Sequence, residues 1–300
     1  MHALKSLMVN AIPGHLVRTF ASPYVAGDSL EKALETADRF HKEHGLHSTM
    51  DVLGEAEETR EKVTEALQVY IKTLDAIASR PYCTLSAKPS QLGYYIDPGF
   101  CRENLEQLAQ ICQERKIGLT VDMEDVDLTE FTVQTYSELK PKYSVLGTVL
   151  QSRLHRTEKD VDRLAGLQAH IRLCIGIYPV TPEHGLQKKR DMKERLLMLL
   201  RKLLDGGHYV CVATHDEAYI RKSLAVFDEL KVPKDRREFQ MLMGVPRSSI
   251  QKELVDRGET VRLYVPYATH WDDALAYLRR RMINNPHMAG LVLKNLFSRS

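Results

Sequence analysis

The sequence predicts a single (βα)8 barrel of the α/β class with a helical extension in front of it. Three observations carry that expectation. β-rich runs number eight, a helical stretch separates each from the next, and Gly and Pro fall at the joins. Strands that alternate with single helices pair in parallel, and eight such units close a TIM-like barrel. At 300 residues the chain has the usual size for one such domain.

The extension is read over 1–46. Asp28 and Glu31 give it a capping-box-like start, Leu30, Ala33, Leu34 and Ala37 an apolar stripe, and Gly45 a stop. The barrel is expected over 47–300, with strands at 47–53, 83–87, 118–123, 145–150, 171–178, 209–214, 238–243 and 260–265. Thr157 reads as a helix N-cap with Asp160 three residues on, and the leucine-rich helix from Arg195 to Leu204 stops at Gly206 and Gly207. Pro246 and Pro266 mark the loops after the seventh and eighth strands. A last helix is expected at about 288–297, over the barrel or its mouth.

Composition narrows the class of partner. Hydrophobic residues make up 43% and charged residues 27%, enough for a large core with a solvated exterior. A net charge of +2 lacks the concentrated basic face that nucleic acid requires. No apolar run approaches the roughly 18 residues that span a bilayer, and the start lacks the apolar core of a secretion signal. The five cysteines show no CxxC spacing and read as reduced, mostly buried thiols. A cytoplasmic location is expected, with at most peripheral contact at the inner membrane face.

In such a barrel the active site lies at the C-terminal ends of the strands. Those ends are polar: Lys88 after strand two, Asp122 after strand three, Gln151 ending strand four, Arg172 within strand five and Tyr178 at its end. Strand six leads into Thr214, His215 and Asp216, strand seven holds Gln240 and strand eight Tyr264. A core built for stability alone has no use for this set, because unpaired charges are costly to bury. After strand eight come Arg279, Arg280 and Arg281. Adjacent helical residues diverge by about 100°, so two of the three could straddle one anion while the third faces solvent; a solvated basic helix face is the other reading of the run.

The runs SAKPSQLG (86–93), VDMED (121–125), LQSRLHRTEKD (150–160), RLCIGIY (172–178), VATHD (212–216), EFQMLMG (238–244), YVPYATHW (264–271) and RRR (279–281) resemble, in order, the strand-end motifs of the proline dehydrogenase family, of the monofunctional bacterial type. The resemblance implies a barrel that holds FAD and oxidises L-proline at ring C5 to a cyclic imine, 1-pyrroline-5-carboxylate. It implies Arg172 near the flavin N5 and Gln151 at the pyrimidine edge, with Gly176, Thr214 and His215 also on the cofactor. Lys189 and Arg190 would serve its phosphates. Lys88, Asp122, Tyr178 and Tyr264 would line the substrate pocket, Lys88 and Asp122 as a coupled pair, with Arg280 and Arg281 on the substrate carboxylate. A quinone acceptor and a pyrroline-5-carboxylate dehydrogenase partner follow from the same likeness.

The chain departs from that pattern at Ile175, where a lysine is frequent, at Ile177, where a small residue is common, at Pro179, and at Asn284, where an acidic residue is usual. These leave a related cyclic amino acid such as hydroxyproline as an alternative substrate. Two metal readings compete. His41, His44 and His47 have HxxHxxH spacing, which Gly45 interrupts, and Asp122, Glu124 and His215 could hold a divalent ion as in barrel lyases. The lyase reading leaves Lys88 and the arginine helix without a role. GxGxxG and GxxxxGK[ST] are both absent, so neither a Rossmann nor a P-loop site is supported.

Overall fold

The structure, a computed structural model, describes Gly14, Val17 and residues 22–54, 56–269 and 271–284, with only the backbone of Ser22, Ala276 and residues 280–284. Eight parallel strands follow one another around a closed barrel. They are β1 His47–Val52, β2 Cys83–Ala87, β3 Leu119–Val121, β4 Leu146–Gln151, β5 His170–Cys174, β6 Tyr209–Ala213, β7 Arg237–Leu242 and β8 Val261–Tyr267, and β1 closes the ring on β8. The helices are α1 Leu30–His44, α2 Arg60–Ile77, α3 Pro98–Arg115, α4 Thr129–Leu139, α5 Thr157–Arg163, α6 Lys189–Asp205, α7 Glu217–Glu229, α8 Ser248–Asp256 and α9 Trp271–Asn284. The expected barrel is therefore the observed one. The expected helix at 288–297 lies outside the described residues.

Local chemistry accounts for where the elements start and stop, with some corrections. Ser29, not Asp28, caps α1 by accepting the Lys32 N–H, and Asp28 pairs with the Lys32 ammonium instead. Gly45 ends that helix in the left-handed region at φ 66°, as its sequence position implied. Thr157 is the first helical residue of α5 rather than its cap. Its hydroxyl donates to the Gln151 carbonyl, which ties the helix to the end of β4. β5 stops at Cys174, so 175–178 form a loop rather than strand. Pro266 lies inside β8 rather than in a loop. β7 has ended by that point, and Ala26 donates to the Pro266 carbonyl at 2.7 Å, so the missing N–H leaves no gap in the ladder.

Two helices set the architecture around the site. α1 packs on the outside of β1 and β8 and buries Ala33 and Ala37. The helix that follows β8 does not return to that outer face. Ala274 and Leu278 of α9 pack with Leu53 and Ala268, just past the C-terminal ends of β1 and β8, and with Val17 and Val25. α9 therefore lies at the mouth of the barrel, where the sequence places an arginine run on it.

Candidate active site

Asp122 is the hub of the mouth. It follows β3 and receives three hydrogen bonds of 2.6 Å: from Arg172 Nη1 (β5), Ser86 Oγ (β2) and the Tyr264 hydroxyl (β8). Strands two, three, five and eight meet in this way only across the barrel interior, so these side chains point inward. The Arg172 guanidinium also stands over the Tyr264 ring, 5.0 Å from its centroid, and its Nε donates to Gln240 Oε1 at 2.6 Å. Burial opposes charge on Arg172, but Asp122 outweighs it and holds the guanidinium pKa above its ordinary value. Burial and the adjacent carboxylate together push the Tyr264 phenol well up, so it stays protonated and donates.

Lys88 does not pair directly with Asp122 as expected. Its ammonium donates to Asp51 Oδ1 and to the Val52 carbonyl at 3.3 Å. Register explains the difference. Asp51 sits opposite Ser86 on the neighbouring strand, two residues before Lys88 and on the same face, whereas Asp122 is already occupied. Burial pushes the Asp51 carboxyl up, while Asp51, Tyr70 and Asp122 overcome the burial of Lys88 and keep its pKa above the usual lysine range.

Below this layer the polar chain continues toward the N-terminal end. Gln240 Nε2 donates to Glu238, and Arg262 Nε binds both oxygens of Glu238 at 3.0 and 3.3 Å. Arg262 Nη1 caps the Ser48 carbonyl at 3.0 Å. Burial works against the Glu238 charge, but Arg262 lowers its pKa to about 2. Beside it the His170 ring nitrogen lies 3.0 Å from the Cys211 sulfur. Burial lowers His170 to about 4 and pushes Cys211 well above the usual thiol value. Among the described residues, His170, Cys211 and Glu238 form the one set whose ligand atoms converge as a metal site would require. With Glu238 committed to Arg262 and Gln240 and the thiol held protonated, the set reads as a charge-compensated plug in the barrel floor. His41, from the histidine-rich run, stacks on Tyr82 at 3.9 Å. The components of the lyase reading are also engaged elsewhere: Glu124 accepts from the Ser90 N–H (2.8 Å) and hydroxyl (2.6 Å), and His215 Nε2 from the Leu242 N–H (2.8 Å).

The other candidates spread around the rim. Gln151 spends its amide NH2 on the Met123 and Glu124 carbonyls at 3.3 and 3.0 Å. Its Oε1 lies against Gly176, where a Cβ would come within 2.2 Å of that oxygen at φ 96°. Thr214 is buried and its Oγ1 accepts the Asp216 N–H at 3.2 Å. The bond from Leu242 N–H makes Nδ1 the protonated nitrogen of His215, whose carbonyl accepts from Arg247. Tyr178, half-buried, lies in the loop after β5. Lys189 and Arg190 are exposed in the first turn of α6, whose N-cap has no side-chain hydrogen bond. Arg280 and Arg281 fall on α9 over the mouth, and their side chains lie outside the described residues. Arg279, expected on the solvent face, is partly buried with its Nε enclosed. A groove of about 1000 Å³ between α1 and α8, floored by Phe40, Leu46, Val255 and Leu263, contains none of these residues.

Sequence reasoning missed Asp51, Ser86, Glu238 and Arg262. A signal was available. The period-two pairs Glu238–Gln240 and Arg262–Tyr264 put both members on one face, and Ser86 stands two residues before Lys88.

Comparison with known proteins bears on the family and the fold. A family profile described as proline dehydrogenase matches residues 33–177 and 187–293. Proline dehydrogenase 2 of Bacillus subtilis (strain 168) is 32% identical over 280 residues, which cover 93% of this chain and 91% of that one. Proline dehydrogenase of Deinococcus radiodurans is 32% identical over 289 residues, covering 92% and 89%. Among solved structures, proline utilization A (PutA) of Bdellovibrio bacteriovorus, inactivated by N-propargylglycine, superposes with a TM-score of 0.80 at 21% identity over 88% of this chain and 32% of that one. The chain thus spans about a third of that longer protein, and the likeness to it concerns the fold.

Proposed function

Because the chain belongs to the proline dehydrogenase family, we propose that it oxidises L-proline to 1-pyrroline-5-carboxylate with bound FAD, passing the electrons on to a quinone. In this reaction a hydride leaves ring C5, a proton leaves nitrogen, and a C5=N bond forms. The observation that carries the reading is the Asp122 hub: a buried carboxylate that fixes Arg172 and Tyr264 side by side where the strands end.

The residues present fit a flavin. Gln151 has its donors occupied and its acceptor oxygen at the rim, which suits a pyrimidine N–H. Gly176 leaves the space that a side chain would fill. Arg172 is a donor whose direction is fixed by Asp122 and Gln240, so it needs little reorganisation beside a ring system that gains charge. The protonated Nδ1 of His215 adds a donor on the β6 side. FAD supplies the two-electron acceptor, and the protein supplies orientation and electrostatics.

Charge arithmetic then assigns the substrate end. Lys88 and Arg172 face Asp51 and Asp122, two cations against two anions, so the pocket base is neutral as it stands. An amino-acid carboxylate needs further positive charge, and α9 carries the arginine run over the mouth. A pocket base with no net charge gives the protonated amine no net electrostatic support, while burial disfavours it, and hydride loss is easier from the neutral amine. Tyr264 offers a flat wall to an apolar ring. Among the described residues no helix is long and apolar enough to cross a membrane. A quinone would therefore be reached from the bilayer surface, and the imine product would pass to a pyrroline-5-carboxylate dehydrogenase. The test is the visible spectrum of the purified protein, with anaerobic addition of proline. Flavin bands that bleach with proline are expected; their absence, or bleaching by hydroxyproline in preference to proline, would overturn the cofactor or the substrate respectively.

A further inference from the structure

The connection from β5 to α6 is long, and it folds back over the end of β4. Residues 152–155 are bonded on both sides by it. Ser152 and Arg153 donate their N–H groups to the Cys174 and Ile175 carbonyls at 2.8 and 3.1 Å, while Leu186 donates to the Arg153 carbonyl at 2.9 Å and His155 to that of His184 at 2.9 Å. Leu154 and Gly185 form an antiparallel bridge. A Cβ at Gly185 would lie 2.8 Å from the Arg153 carbonyl, so this contact allows no side chain there.

Arg153 does more than join this ladder. Its guanidinium crosses to the carbonyl of Tyr178. One residue thus holds the carbonyls of both Ile175 and Tyr178, the two ends of the turn that carries Gly176 and Tyr178 past Gln151. Its Nε is buried with no hydrogen-bond acceptor, and no carboxylate pairs with it, among the described residues. A guanidinium whose hydrogen-bond partner is one neutral carbonyl is an arrangement that stability by itself does not favour. The turn it holds keeps Ile177 71% exposed at the rim. An apolar side chain in that position gains a contact once the mouth is filled.

We propose that Arg153 is a positioning residue for the reaction: by clamping Ile175 and Tyr178 it fixes the height of the Gly176–Tyr178 turn over Gln151 and Arg172. The proposal rests on the proline dehydrogenase reading only for which ligands that turn meets. Arg153→Met keeps the length and apolar stem but removes the donors, and Arg153→Gln restores one neutral donor on a shorter arm. Hydrogen exchange is measured on the holoprotein, together with FAD content and proline kinetics. In Arg153→Met the amides of residues 153, 155 and 186, whose bonds hold the connection to the end of β4, exchange about tenfold or more faster while β4, β5 and β6 stay protected, KM for proline rises more than kcat falls, and kcat/KM drops about 10- to 100-fold, the loss expected for one charge-assisted hydrogen bond. Arg153→Gln falls between the two. Wild-type exchange at those amides in Arg153→Met overturns the proposal. So does loss of protection spread evenly over the barrel, which would make the residue a folding element. A wild-type protein without flavin or proline turnover would instead defeat the functional reading and leave the exchange result to judge the clamp.

Discussion

Replacing Asp122 with asparagine tests the centre of the site most directly. One carboxylate oxygen takes both Arg172 and Ser86, and the other takes Tyr264, each at 2.6 Å. Asparagine keeps the shape but has one acceptor oxygen. That oxygen must face Arg172, so the new NH2 faces a phenol that was donating, and the Tyr264 hydroxyl has to turn round to accept. Arg172 then keeps only neutral acceptors, the new amide oxygen and Gln240, and becomes a buried charge without a counter-ion. Breaking one side of such a pair costs about 3–5 kcal/mol, or about 5–8 °C in Tm for a chain of this length. The neutral control Ser86→Ala should cost about 1 kcal/mol. Removing both charges in Asp122→Asn/Arg172→Gln should recover stability relative to Asp122→Asn alone, although activity is lost in both. Urea unfolding of the four proteins at one pH reads all of these. A loss below about 1 kcal/mol in Asp122→Asn, with no recovery in the double variant, would refute an ionised pair at the mouth.

Three other outcomes follow from the same geometry. Gly176→Ala puts a methyl group where Gln151 Oε1 stands, at a φ of 96° that alanine resists, so the purified protein should lose most of its flavin; full retention would remove this turn from the cofactor site. Arg280→Ala and Arg281→Ala should each cost about 2–4 kcal/mol of substrate binding, some 30- to 1000-fold in kcat/KM, whereas Arg279→Ala, partly buried, should lower Tm with less effect on KM; the reverse ranking would shift the clamp by one residue. His170 is depressed to about 4 by burial, with Arg262, Lys140 and Arg172 opposing protonation and Glu238 favouring it. The unfolded chain therefore binds the extra proton first: this stability is complete above pH 6.5 and is lost as pH falls toward 4, by roughly 3 kcal/mol. Urea midpoints that stay flat from pH 7 to 4.5, or that respond equally in His170→Asn, would contradict it.

The sequence made the barrel legible because its signal is periodic. Strand runs repeat eight times, with helix stops such as Gly45 between them and polar residues at the ends of seven, and errors of a few residues at β3 or β5 do not change the count. The wiring of the site was less legible. Lys88 and Asp122 sit at adjacent strand ends, which suggested a pair, but which carboxylate a lysine meets depends on register, and register placed Asp51 opposite Ser86. Asp51 reads in the sequence as one of four polar residues in the run HSTMDV, and only the closed ring shows that it faces inward beside Lys88. The same holds for Glu238 and Arg262: their strands identify them as buried, but not as partners across the floor.

The position of α9 follows from a competition for one seat. In a regular barrel the helix after β8 packs outside, between β8 and β1. Here α1, which precedes β1 in the chain, fills that place with its small residues Ala33 and Ala37 against the strands. α9 begins only four residues after β8 ends, so it cannot travel far, and its apolar face of Ala274 and Leu278 must be buried nearby. Leu53 and Ala268 at the strand ends are the apolar surface within reach. The helix that carries the arginine run is thus set over the mouth by an element some 230 residues earlier in the chain. That is why the short-range pattern of the sequence revealed the arginines but not where they would stand. It also makes a helix outside the barrel a determinant of the site inside it. Substituting Ala33 or Ala37 with leucine would push α1 away from β1 and β8 at a cost typical of overpacking, about 1–3 kcal/mol. If α9 is held at the mouth by the loss of its outer seat, those variants should raise KM for proline as well as lower Tm. A drop in Tm with KM unchanged would show that α9 keeps its place through its own contacts with Leu53 and Ala268.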